Sequence, residues 1–591
     1  MNRFFISFVF RLFCRQCLHA FRSKKLLPAE GVINLAAKGW YVVIFQASVD
    51  PDVAKRTLSL NQEKSVTVRF THNGITDRII YIKAATSIST NSATLFSAQR
   101  IVFFDAWLKR FFAHRRHIPL GEALAADLEQ DDFAESSGQL SLLTIASGQR
   151  YSHLHSQLAI ADRNIVFVDD GTVVLTKGSI ERLAQFFPTH DFISFDYYAK
   201  LESDEYMKPQ FTPELNLPYL FCYDYIRGCY FVSREILKRA LNSLPSDAEY
   251  HQHELLLAIV TERTISPKRV ANLSALRAFS HPKKLDVDKL GLRVRAILPN
   301  ASIAIKTPGI YKLSLSPPER TSVSIIIPAK DQLEYTRRCV DSILEKTTGV
   351  NFEIVIVNND SSESEMLAWL DRVAEDQRVR ILNYPYPFNF SAINNFAVSH
   401  VKHDYLMFLN NDTEVISEHW LSEMIGWASV EGIGAVGCKL LYEDNRIQHA
   451  GVVVGIQGAA AHVHRYYHAE HPGYMHRLEC SQFYSAVTAA ALAIKKSNFL
   501  DAGGFDEIKY RVAYNDVDLC LKCVGAGLSN VWLSDVHLYH YESKSRLDDL
   551  GLQQIPRYSR ELSSLRKDWN VINYNDPCYN PNLSEIDEYF H

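Results

Sequence analysis

Hydrophobic and polar positions alternate along the first part of the chain after Pro28. The alternating stretches are short and are separated by polar turns such as His72-Asn73-Gly74; they read "GWYVVIFQASV", "SVTVRFTHNG", "RIIYIKAAT" and "QRIVFFDAWL". A period of two is typical of strands that bury one face, and turns between such stretches favour antiparallel pairing. We therefore predict a small β-sandwich at 35–108. An accessory scaffold and a sugar-binding module are both compatible with it.

From about residue 141 the pattern changes to alternating strands and helices, which predicts α/β layers. An acidic helix and linker is expected at 109–140, a first α/β domain at 141–275, a junction at 276–320 and a second α/β domain at 321–591. The second domain opens with a β-branched strand of the kind that parallel sheets bury. Its predicted order is strand 323–327, helix 333–347, strand 352–357, helix 363–375, strand 378–382, helix 391–401 and strand 405–409.

The first 30 residues follow a helical period instead. Polar, mostly basic residues recur at steps of three or four, and aromatic and aliphatic residues occupy most of the remaining positions; the recurring ones are Arg3, Ser7, Arg11, Arg15, His19 and Arg22. This arrangement suits the surface of an anionic membrane, so we predict a docking helix at 1–30. A helix packed on the protein is the alternative, and a signal peptide fits less well because Arg11 shortens the apolar run.

Composition limits the classes of function. A chain of 591 residues is too long to fold around a single hydrophobic core, and its length indicates three or four domains. The formal net charge of −4 argues against a nucleic-acid-binding protein. Ten unevenly spaced cysteines do not form a disulfide framework, which favours a reducing cytoplasm. Two Cys-x-x-Cys pairs, at 14–17 and 520–523, are interpreted as ordinary thiols rather than a zinc site.

Polar side chains follow three strands of the second α/β domain, at the point where each strand ends. They are Asp331 after the first strand, Asn358, Asn359 and Asp360 after the second, and Asn410, Asn411 and Asp412 after the fourth. Ligands of open parallel sheets bind beyond the carboxyl ends of the strands. Carboxylate and amide oxygens suit a hard divalent cation that keeps substrate phosphates in its shell. Asp412 is therefore the predicted metal ligand of a nucleotide-diphosphate site.

A second acidic position lies further along the chain. Asp516 and Asp518 begin a predicted helix, where negative charge is favoured; Asp516 is the candidate general base, and helix capping is an equal alternative for Asp518. His540 is a candidate metal ligand, although a single histidine is more often structural. Further candidate substrate residues are Gln448 and His449, for which a structural role is an equal alternative, and Asn515 and Glu542.

Nine motifs in order carry a family resemblance. They are "SIIIPAKD", "FNFSAINNFAV", "FLNNDTEVI", "GAVGCKLLY", "IQHAGVVVG", "YSAVTAAALAIKK", "GGFDE", "NDVDLCLK" and "YHYESKSR". Residues 322–546 thereby resemble the family 2 glycosyltransferases of GT-A fold, particularly the bacterial branch that builds O-antigen and other surface polysaccharides. The expected fold class is α/β, with a GT-A mixed sheet in the C-terminal half.

The resemblance implies an inverting transfer from a nucleotide-sugar donor, dTDP- or UDP-linked, that depends on Mg2+ or Mn2+. Asp331 and Asp360 would contact the nucleoside, and Asn410-Asn411-Asp412 would stand for the acidic motif, with Asp412 on the metal. Asp516 would be the base. Asn410 and Asn515 depart from the usual acidic residues, which gives additional ligands such as His540 more weight.

The first α/β domain resembles the same fold in part. "YSHLHSQLAIADRNIVFVDDGTVV" matches the outline of the segment that begins at Phe390, but no counterpart of "SIIIPAKD" or "IVIVNND" fits upstream. "HQHELLLAI" stands where "NDVDLCLK" would, without an Asp in register. We therefore interpret 141–275 as a truncated, inactive GT-A-like domain, with Asp169-Asp170 a residual pair. Holding acceptor glycan and stiffening the enzyme are both open as its role.

The functional hypothesis is a glycosyltransferase that extends a lipid-linked surface glycan, such as O-antigen or capsule, at the inner face of the cytoplasmic membrane. A non-catalytic glycan-binding or scaffold protein is the alternative. A processive polymerase is disfavoured, because there is no predicted membrane span and no Gln-x-x-Arg-Trp segment; Trp569 lies in "LRKDWN" instead.

Overall fold

The structure is a computed structural model. It describes residues 32–35, 39–47, 55–60, 64–69, 75–82, 86–90, 93–100, 140–146, 148–161, 163–176, 179–200, 207–262, 265–277, 285–541, 555–585 and 590. The chain divides into two compact units, Met1–Ile118 and Pro119–His591. The predicted docking helix at 1–30, and the predicted helix and linker at 109–140 up to residue 139, lie outside the described residues.

The first unit contains two antiparallel sheets. Its described strands are β1 (Val32–Leu35), β2 (Gly39–Ala47), β3 (Lys55–Leu60), β4 (Lys64–Arg69), β5 (Ile75–Ile82), β6 (Thr86–Thr90) and β7 (Ala93–Arg100). The sheet orders are β1-β6-β3-β4 and β5-β2-β7. The period-two alternation at β2, β4 and β5 thus forms strands as expected, whereas β1, β3, β6 and most of β7 were not predicted. Most of the fourth predicted strand, "QRIVFFDAWL", lies outside the described residues. A sandwich domain at 35–108 remains our prediction.

The second unit begins with a seven-stranded sheet and its helices. In chain order these are β8 (Leu140–Thr144), α1 (Tyr151–Ile160), β9 (Ile165–Asp169), β10 (Val173–Leu175), α2 (Ser179–Ala184), β11 (Phe192–Lys200), β12 (Met207–Gln210), α3 (Leu217–Cys222), β13 (Tyr230–Ser233), α4 (Arg234–Asn242), α5 (Gln252–Val260) and β14 (Pro267–Arg277). The strand order is β10-β14-β11-β13-β9-β8, with β12 paired to β11.

The segment that follows, part of the predicted junction, is structured. It contains α6 (Val287–Arg295) and an antiparallel hairpin of β15 (Ala301–Thr307) and β16 (Ile310–Leu315). The hairpin packs closely on a helix of the next sheet, because a Cβ at Gly426 would collide with the backbone of Leu315. The junction is therefore part of the core rather than a loose connection.

A ten-stranded mixed sheet forms the C-terminal half. The elements of this half are β17 (Ser322–Ala329), α7 (Leu333–Lys346), β18 (Asn351–Asn358), α8 (Ser364–Val373), β19 (Val379–Asn383), α9 (Phe390–His400), β20 (Tyr405–Leu409), β21 (Thr413–Val415), α10 (Trp420–Ala428), β22 (Ile433–Leu441), β23 (Ile447–His449), β24 (Val452–Val454), β25 (Ala460–His462), β26 (Gln482–Tyr484), β27 (Ala491–Lys495), α11 (Lys496–Asp501), α12 (Asn515–Gly525), β28 (Ser529–His540) and α13 (Ile555–Trp569). Of these, β24 and β25 form a separate two-stranded sheet. Each predicted strand and helix from 323 to 409 is present within two residues of its expected ends.

The order of this sheet places the candidate site. Strands β19-β18-β17-β20 are parallel, and the order continues through β27, β22, β28 and β21. Apolar residues of β17, β18 and β20 are almost wholly buried, which explains their continuous hydrophobic sequences. Because parallel strands end at the same edge, the loops after β17, β18 and β20 lie side by side. The predicted mixed α/β fold is confirmed.

The two sheets of the second unit share one plan. The order β8-β9-β13-β11-β14-β10 repeats the order β17-β20-β27-β22-β28-β21, and each neighbouring pair has the same parallel or antiparallel sense. Beyond β8, the described residues of the first sheet contain no counterpart of β18 and β19. The strand before Asp331, β17, thus has a shorter counterpart in β8, so the expectation that no upstream segment corresponds to "SIIIPAKD" is wrong for that strand. The strand before Asp360, β18, has no counterpart among the described residues of the smaller sheet.

The C-terminal segment fastens the two α/β regions together. The amide of Asn580 donates hydrogen bonds to both carboxylate oxygens of Asp196, at 2.9 and 3.0 Å. Burial raises the pKa of Asp196 to about 6. The N–H of Glu214 donates to the carbonyl of Pro577 at 2.9 Å. The upstream region is thus built into the same body as the larger sheet. Among the described residues, no helix has the length and apolarity needed to cross a lipid bilayer.

Candidate active site

Asp412 and His540 meet because two short strands pair across the sheet edge. The loop 410–412 links β20 to β21, and β21 pairs antiparallel with β28 in a register that sets Thr413 opposite His540. Oδ1 of Asp412 lies 3.3 Å from Nε2 of His540, and both side chains are buried. A carboxylate and an imidazole that the sequence separates by more than a hundred residues therefore form one corner.

The donor atoms at this corner fit a divalent cation. Neighbouring ligands of an octahedral ion with bonds of about 2.1 Å are about 3.0 Å apart, close to the Asp412–His540 spacing. The side-chain amide of Asn410 lies 3.3 Å from the same His540 nitrogen, and an amide flip would present its oxygen there. The other ring nitrogen of His540, Nδ1, is buried and has no hydrogen-bond partner among the described residues, so the contacts of the ring with Asp412 and Asn410 are made through Nε2. Carboxylate, amide and imidazole together suit Mg2+ or Mn2+.

These residues do not complete a coordination shell. In the described part of the chain, no three or more His, Cys, Asp and Glu side chains are grouped so that they could hold a metal ion. A cation here would therefore need oxygen ligands from water or from substrate phosphates, as divalent ions at nucleotide sites commonly have. The metal roles of Asp412 and His540 remain a prediction that the geometry allows.

Asp516 occupies the first turn of α12, as the sequence predicts. The residue before the helix, Tyr514, has a left-handed backbone with φ 62°. Oδ2 of the half-buried Asp516 accepts a hydrogen bond from the N–H of Ala489 at 3.1 Å. This contact fixes the carboxylate while leaving it open to solvent on one side. Asp516 is thus available for proton transfer.

One short backbone segment links Asp516, the candidate base, to the loop that carries Asp412, the candidate metal ligand. The N–H of Asn410 donates to the carbonyl of Ala490 at 3.0 Å, and the N–H of the neighbouring Ala489 binds Asp516. The segment 488–490 leads directly into β27, which pairs with β20. Asn410 and Asp516 therefore lie on either side of two consecutive residues, at one edge of the sheet.

Asp518 has a structural role. Its Oδ2 lies 2.7 Å from Nζ of Lys522, and its Oδ1 accepts from the indole N–H of Trp569 at 2.9 Å. The side chain is buried. This role is not the helix capping that the sequence suggested, because α12 has no side-chain cap hydrogen bond; the carboxylate instead pairs with Lys522 within α12 and ties the helix to α13.

The nucleoside candidates lie on the neighbouring loops after β17 and β18. Oδ1 of Asp331 accepts hydrogen bonds from the N–H groups of Ser362 and Glu363, at 2.7 and 2.9 Å. Desolvation acts in the opposite direction, but these hydrogen bonds hold the pKa of Asp331 below its ordinary value. Asp360 is exposed. Asp331 therefore shapes the loop that presents Asp360, and direct contact of either with a nucleoside remains a prediction.

Several residues with left-handed backbone lie around this edge. Asp331, Gln332, Asp360 and Tyr514 all have positive φ between 52° and 62° without being glycine. Such conformations are uncommon, and they persist where surrounding contacts enforce them, often at binding sites. The amide of Asn411, on the third loop, donates to Oγ1 of Thr336 at 3.0 Å and joins this loop to α7.

The remaining candidates are mostly buried. His449 is fully buried, and its Nδ1 lies 3.0 Å from Nδ1 of His462. Burial, with further contributions from His462 and His540, lowers the pKa of His449 well below its usual value, so it is neutral. Gln448 is buried beside it. The amide of Asn515 donates to the carbonyl of Val512 at 2.9 Å, a local structural contact. Glu542 lies outside the described residues.

Sequence reasoning missed two parts of the site. The N–H of Ala489 has no side-chain signal, since any residue supplies a backbone donor. His462 lies on β25 beside His449, and its only signal was the alternation in "AAHVH". Both become visible once the strands are paired.

The upstream sheet carries different residues at the equivalent positions. The loop 170–172 has the same length as 410–412, and Val173 pairs with Arg277 as Thr413 pairs with His540. Thr172 therefore stands where Asp412 stands, and the buried Arg277 stands where His540 stands. A guanidinium cannot ligate a metal ion. This edge lacks the donor set of the larger sheet.

Asp169 and Asp170 both accept hydrogen bonds from backbone N–H groups of the turn in which they lie. Oδ1 of Asp169 accepts from the N–H of Gly171 at 2.8 Å, and Oδ1 of Asp170 accepts from the N–H of Thr172 at 3.1 Å. Burial raises the pKa of Asp169. Asx turns of this kind are a common structural use of aspartate.

A surface cleft occurs at the opposite edge of the larger sheet. It is lined by residues 316–321, 349–351 and Ser422, where β17 and β18 begin. Ligands of open α/β sheets bind at the carboxyl ends of the strands, so this cleft is not part of the candidate site.

Among the comparisons with known proteins, the family match covers the part of the chain that contains Asp331, Asp360 and Asp412 but not Asp516 or His540. Residues 324–471 match the family model for glycosyl transferase family 2. The uncharacterized protein y4gI of Sinorhizobium fredii (strain NBRC 101917 / NGR234) is 46% identical over 263 residues, 44% of this chain and 29% of that protein. O-antigen biosynthesis protein RfbC of Myxococcus xanthus is 32% identical over 395 residues, 65% of this chain and 30% of that protein. The chain therefore spans less than a third of either relative's length.

Two solved structures are similar in part. GalNAc-T7 with UDP, GalNAc and Mn2+ has a TM-score of 0.34 at 13% identity, covering 42% of this chain and 50% of that one. Mannosyltransferase PcManGT from Pyrobaculum calidifontis, in complex with GDP-Man and Mn2+, has a TM-score of 0.33 at 14% identity, covering 46% and 70%. Scores this low carry no argument, and the fold assignment rests on the strand order.

Proposed function

We propose a function on the premise that residues 324–471 are a glycosyl transferase family 2 domain, as the sequence resemblance predicted and the family match confirms. The chain transfers a sugar from a nucleotide-sugar donor to a hydroxyl of a growing surface polysaccharide. The observation that carries this proposal is the pairing of two acidic sites at one sheet edge. Asp412 stands beside His540, and Asp516 is joined to the same edge through Ala489.

The proposed reaction is a single displacement with inversion. The acceptor hydroxyl oxygen forms a bond to the anomeric carbon while its proton passes to the carboxylate of Asp516. The bond from the anomeric carbon to the donor phosphate breaks, and its electron pair leaves on the nucleoside diphosphate. Asp516 is suited to this role because the N–H of Ala489 orients its carboxylate. Attack and departure on opposite faces require two separated groups, and Asp516 and Asp412 lie on different elements.

Asp412, His540 and the amide of Asn410 would hold the divalent cation. When bound, the cation would supply positive charge to the departing diphosphate. Asp331 and Asp360 would face the nucleoside of a dTDP- or UDP-linked donor, with Asp331 fixing the loop that carries Asp360. Asn411 holds its loop against α7 and so keeps the backbone of 410–412 in place.

A lipid-linked acceptor at the inner face of the cytoplasmic membrane is proposed for two reasons. The basic amphipathic pattern of the first 30 residues suits an anionic lipid surface. RfbC, whose similarity extends over 65% of this chain, is named as an O-antigen biosynthesis protein. The upstream region is proposed to be a non-catalytic relative of the same domain, because Thr172 and Arg277 occupy the positions of Asp412 and His540.

A donor screen with the purified full chain tests the proposal. Nucleotide diphosphate release would be measured with dTDP- and UDP-sugars, Mn2+ or Mg2+, and a polysaccharide or lipid-linked acceptor. We expect release that requires both metal and acceptor, and a product of inverted anomeric configuration by NMR. Glycan binding without turnover of any donor would instead support a non-catalytic scaffold, and product of retained configuration would contradict single displacement.

A further inference from the structure

The C-terminal helix α13 lies across the start of α12. The hydroxyl groups of Tyr558 and Tyr514 are 2.7 Å apart, and the indole of Trp569 donates to Asp518 at 2.9 Å. Helix α13 follows Asp516 by some forty residues in sequence, yet it contacts the turn before α12 and the first turn itself. Whatever fixes this turn fixes the position of Asp516.

Glu561 is the buried carboxylate at the centre of this contact. Its side chain is 2% exposed. Its two oxygens accept hydrogen bonds from the N–H groups of Val512 and Ala513, each at 3.1 Å. Arg557, one turn earlier on the same helix, lies 3.6 Å from it. A charged group is rarely buried unless it is fully hydrogen-bonded, and bonds to an ionised acceptor are stronger than neutral ones.

The two N–H groups that Glu561 binds belong to the residues just before the strained Tyr514. A left-handed tyrosine needs contacts on both sides to hold it. On the N-terminal side these contacts come from Glu561, and on the C-terminal side the helix α12 begins with Asn515 and Asp516. Freedom at 512–513 would rotate the first turn of α12 and move the Asp516 carboxylate away from Ala489.

We propose that Glu561 is a positioning residue for the general base. It acts through the backbone of Val512 and Ala513 and touches no substrate. This inference rests on the proposed function of Asp516. It gives one residue of α13 a role in positioning the base, although this helix lies outside the region that matches the family model.

Glu561→Gln tests the inference with little change of volume. The amide has one oxygen, so one of the two N–H groups loses its acceptor and faces an NH2 group instead. We expect kcat to fall about tenfold, with the donor dissociation constant within about twofold of wild type. Hydrogen exchange at the amides of Val512 and Ala513 should become faster.

Asp568→Asn is the matched control on the same helix. Asp568 accepts from Nζ of Lys509 at 3.0 Å and from the hydroxyl of Tyr510 at 2.9 Å, so it anchors α13 without binding 512–513. Its kcat per folded molecule, counted by nucleotide binding, should stay within about twofold of wild type. Equal losses of kcat in both variants, or none in Glu561→Gln, would overturn the inference.

Arg557→Gln keeps the test decisive if Glu561→Gln does not fold. It retains the hydrogen bonds of Glu561 but removes the nearby positive charge. We then expect a two- to fivefold fall in kcat at unchanged donor affinity, and an unchanged kcat would overturn the inference. A wild-type chain that turns over no donor would overturn the proposed function as well, whereas an active wild type with unaffected variants would overturn the inference alone.

Discussion

Replacing Asp516 by asparagine removes the proton acceptor and keeps the shape of the side chain. The asparagine oxygen can still accept from the N–H of Ala489, which now lies 3.1 Å from Oδ2 of Asp516, and its NH2 group would then face the N–H of Val517, which now donates to Oδ1 at 2.9 Å. The side chain is half-buried and forms no ion pair in the described structure, so stability should change little. What is lost is the ability to accept a proton.

The expected loss is that of a general base. Such groups contribute about a hundredfold to ten-thousandfold to rate, which corresponds to about 2.7–5.4 kcal/mol of transition-state stabilisation. We expect kcat of Asp516→Asn to fall by this amount, while the affinity for the nucleotide-sugar donor and Mn2+ is unchanged. Initial rates of nucleotide diphosphate release would give kcat, and calorimetry would give the donor affinity.

Asp518→Asn is the control, because it lies one half-turn further along α12 and pairs with Lys522 instead. Removing the charge partner of a buried network costs about 1–3 kcal/mol. We expect a lower free energy of unfolding and a kcat per folded molecule near that of wild type. If Asp516→Asn kept its turnover, or if Asp518→Asn lost as much, the assignment of the base would be wrong.

Asp412→Ala should raise the Mn2+ concentration needed for donor binding by about a hundredfold or more, which corresponds to about 2.7 kcal/mol of binding free energy. Even residues that only support a metal ligand lower metal affinity by about ten- to a hundredfold when they are replaced. An unchanged Mn2+ requirement in a titration would show that Asp412 is not a ligand. Asp170→Ala should leave turnover within about twofold, because its carboxylate closes its own turn, and a large loss would show that the upstream region is catalytic. Deleting residues 1–25 should release the protein from membrane fractions and spare turnover of a soluble acceptor, and continued membrane association would refute the docking helix.

Local signals were sufficient for the elements that the chain builds from neighbouring residues. Strand β20 and the loop that ends at Asp412 follow from an apolar run that stops at polar residues. Asp516 follows from the preference of acidic residues for a first helical turn. The parallel strands of the larger sheet follow from their continuous hydrophobic sequences.

Contacts between distant segments were beyond local reasoning. The register of β21 on β28, which brings His540 to Asp412, depends on how the whole sheet closes. The same holds for Arg277, whose position opposite Val173 shows that the upstream edge lacks a metal ligand there. Glu561 has no motif of its own, because its partners are backbone N–H groups. The hairpin β15–β16 was taken for a connection although Pro308-Gly309, a turn signal, lies between its two alternating strands.

A crystal structure of the full chain with Mn2+ and a nucleoside diphosphate tests the central claim most directly. We expect an anomalous peak within about 2.5 Å of both Asp412 and His540, with diphosphate oxygens in its shell and the carboxylate of Asp516 facing the same cleft. A metal ion bound elsewhere, or Asp516 opening into a separate cavity, would contradict the account.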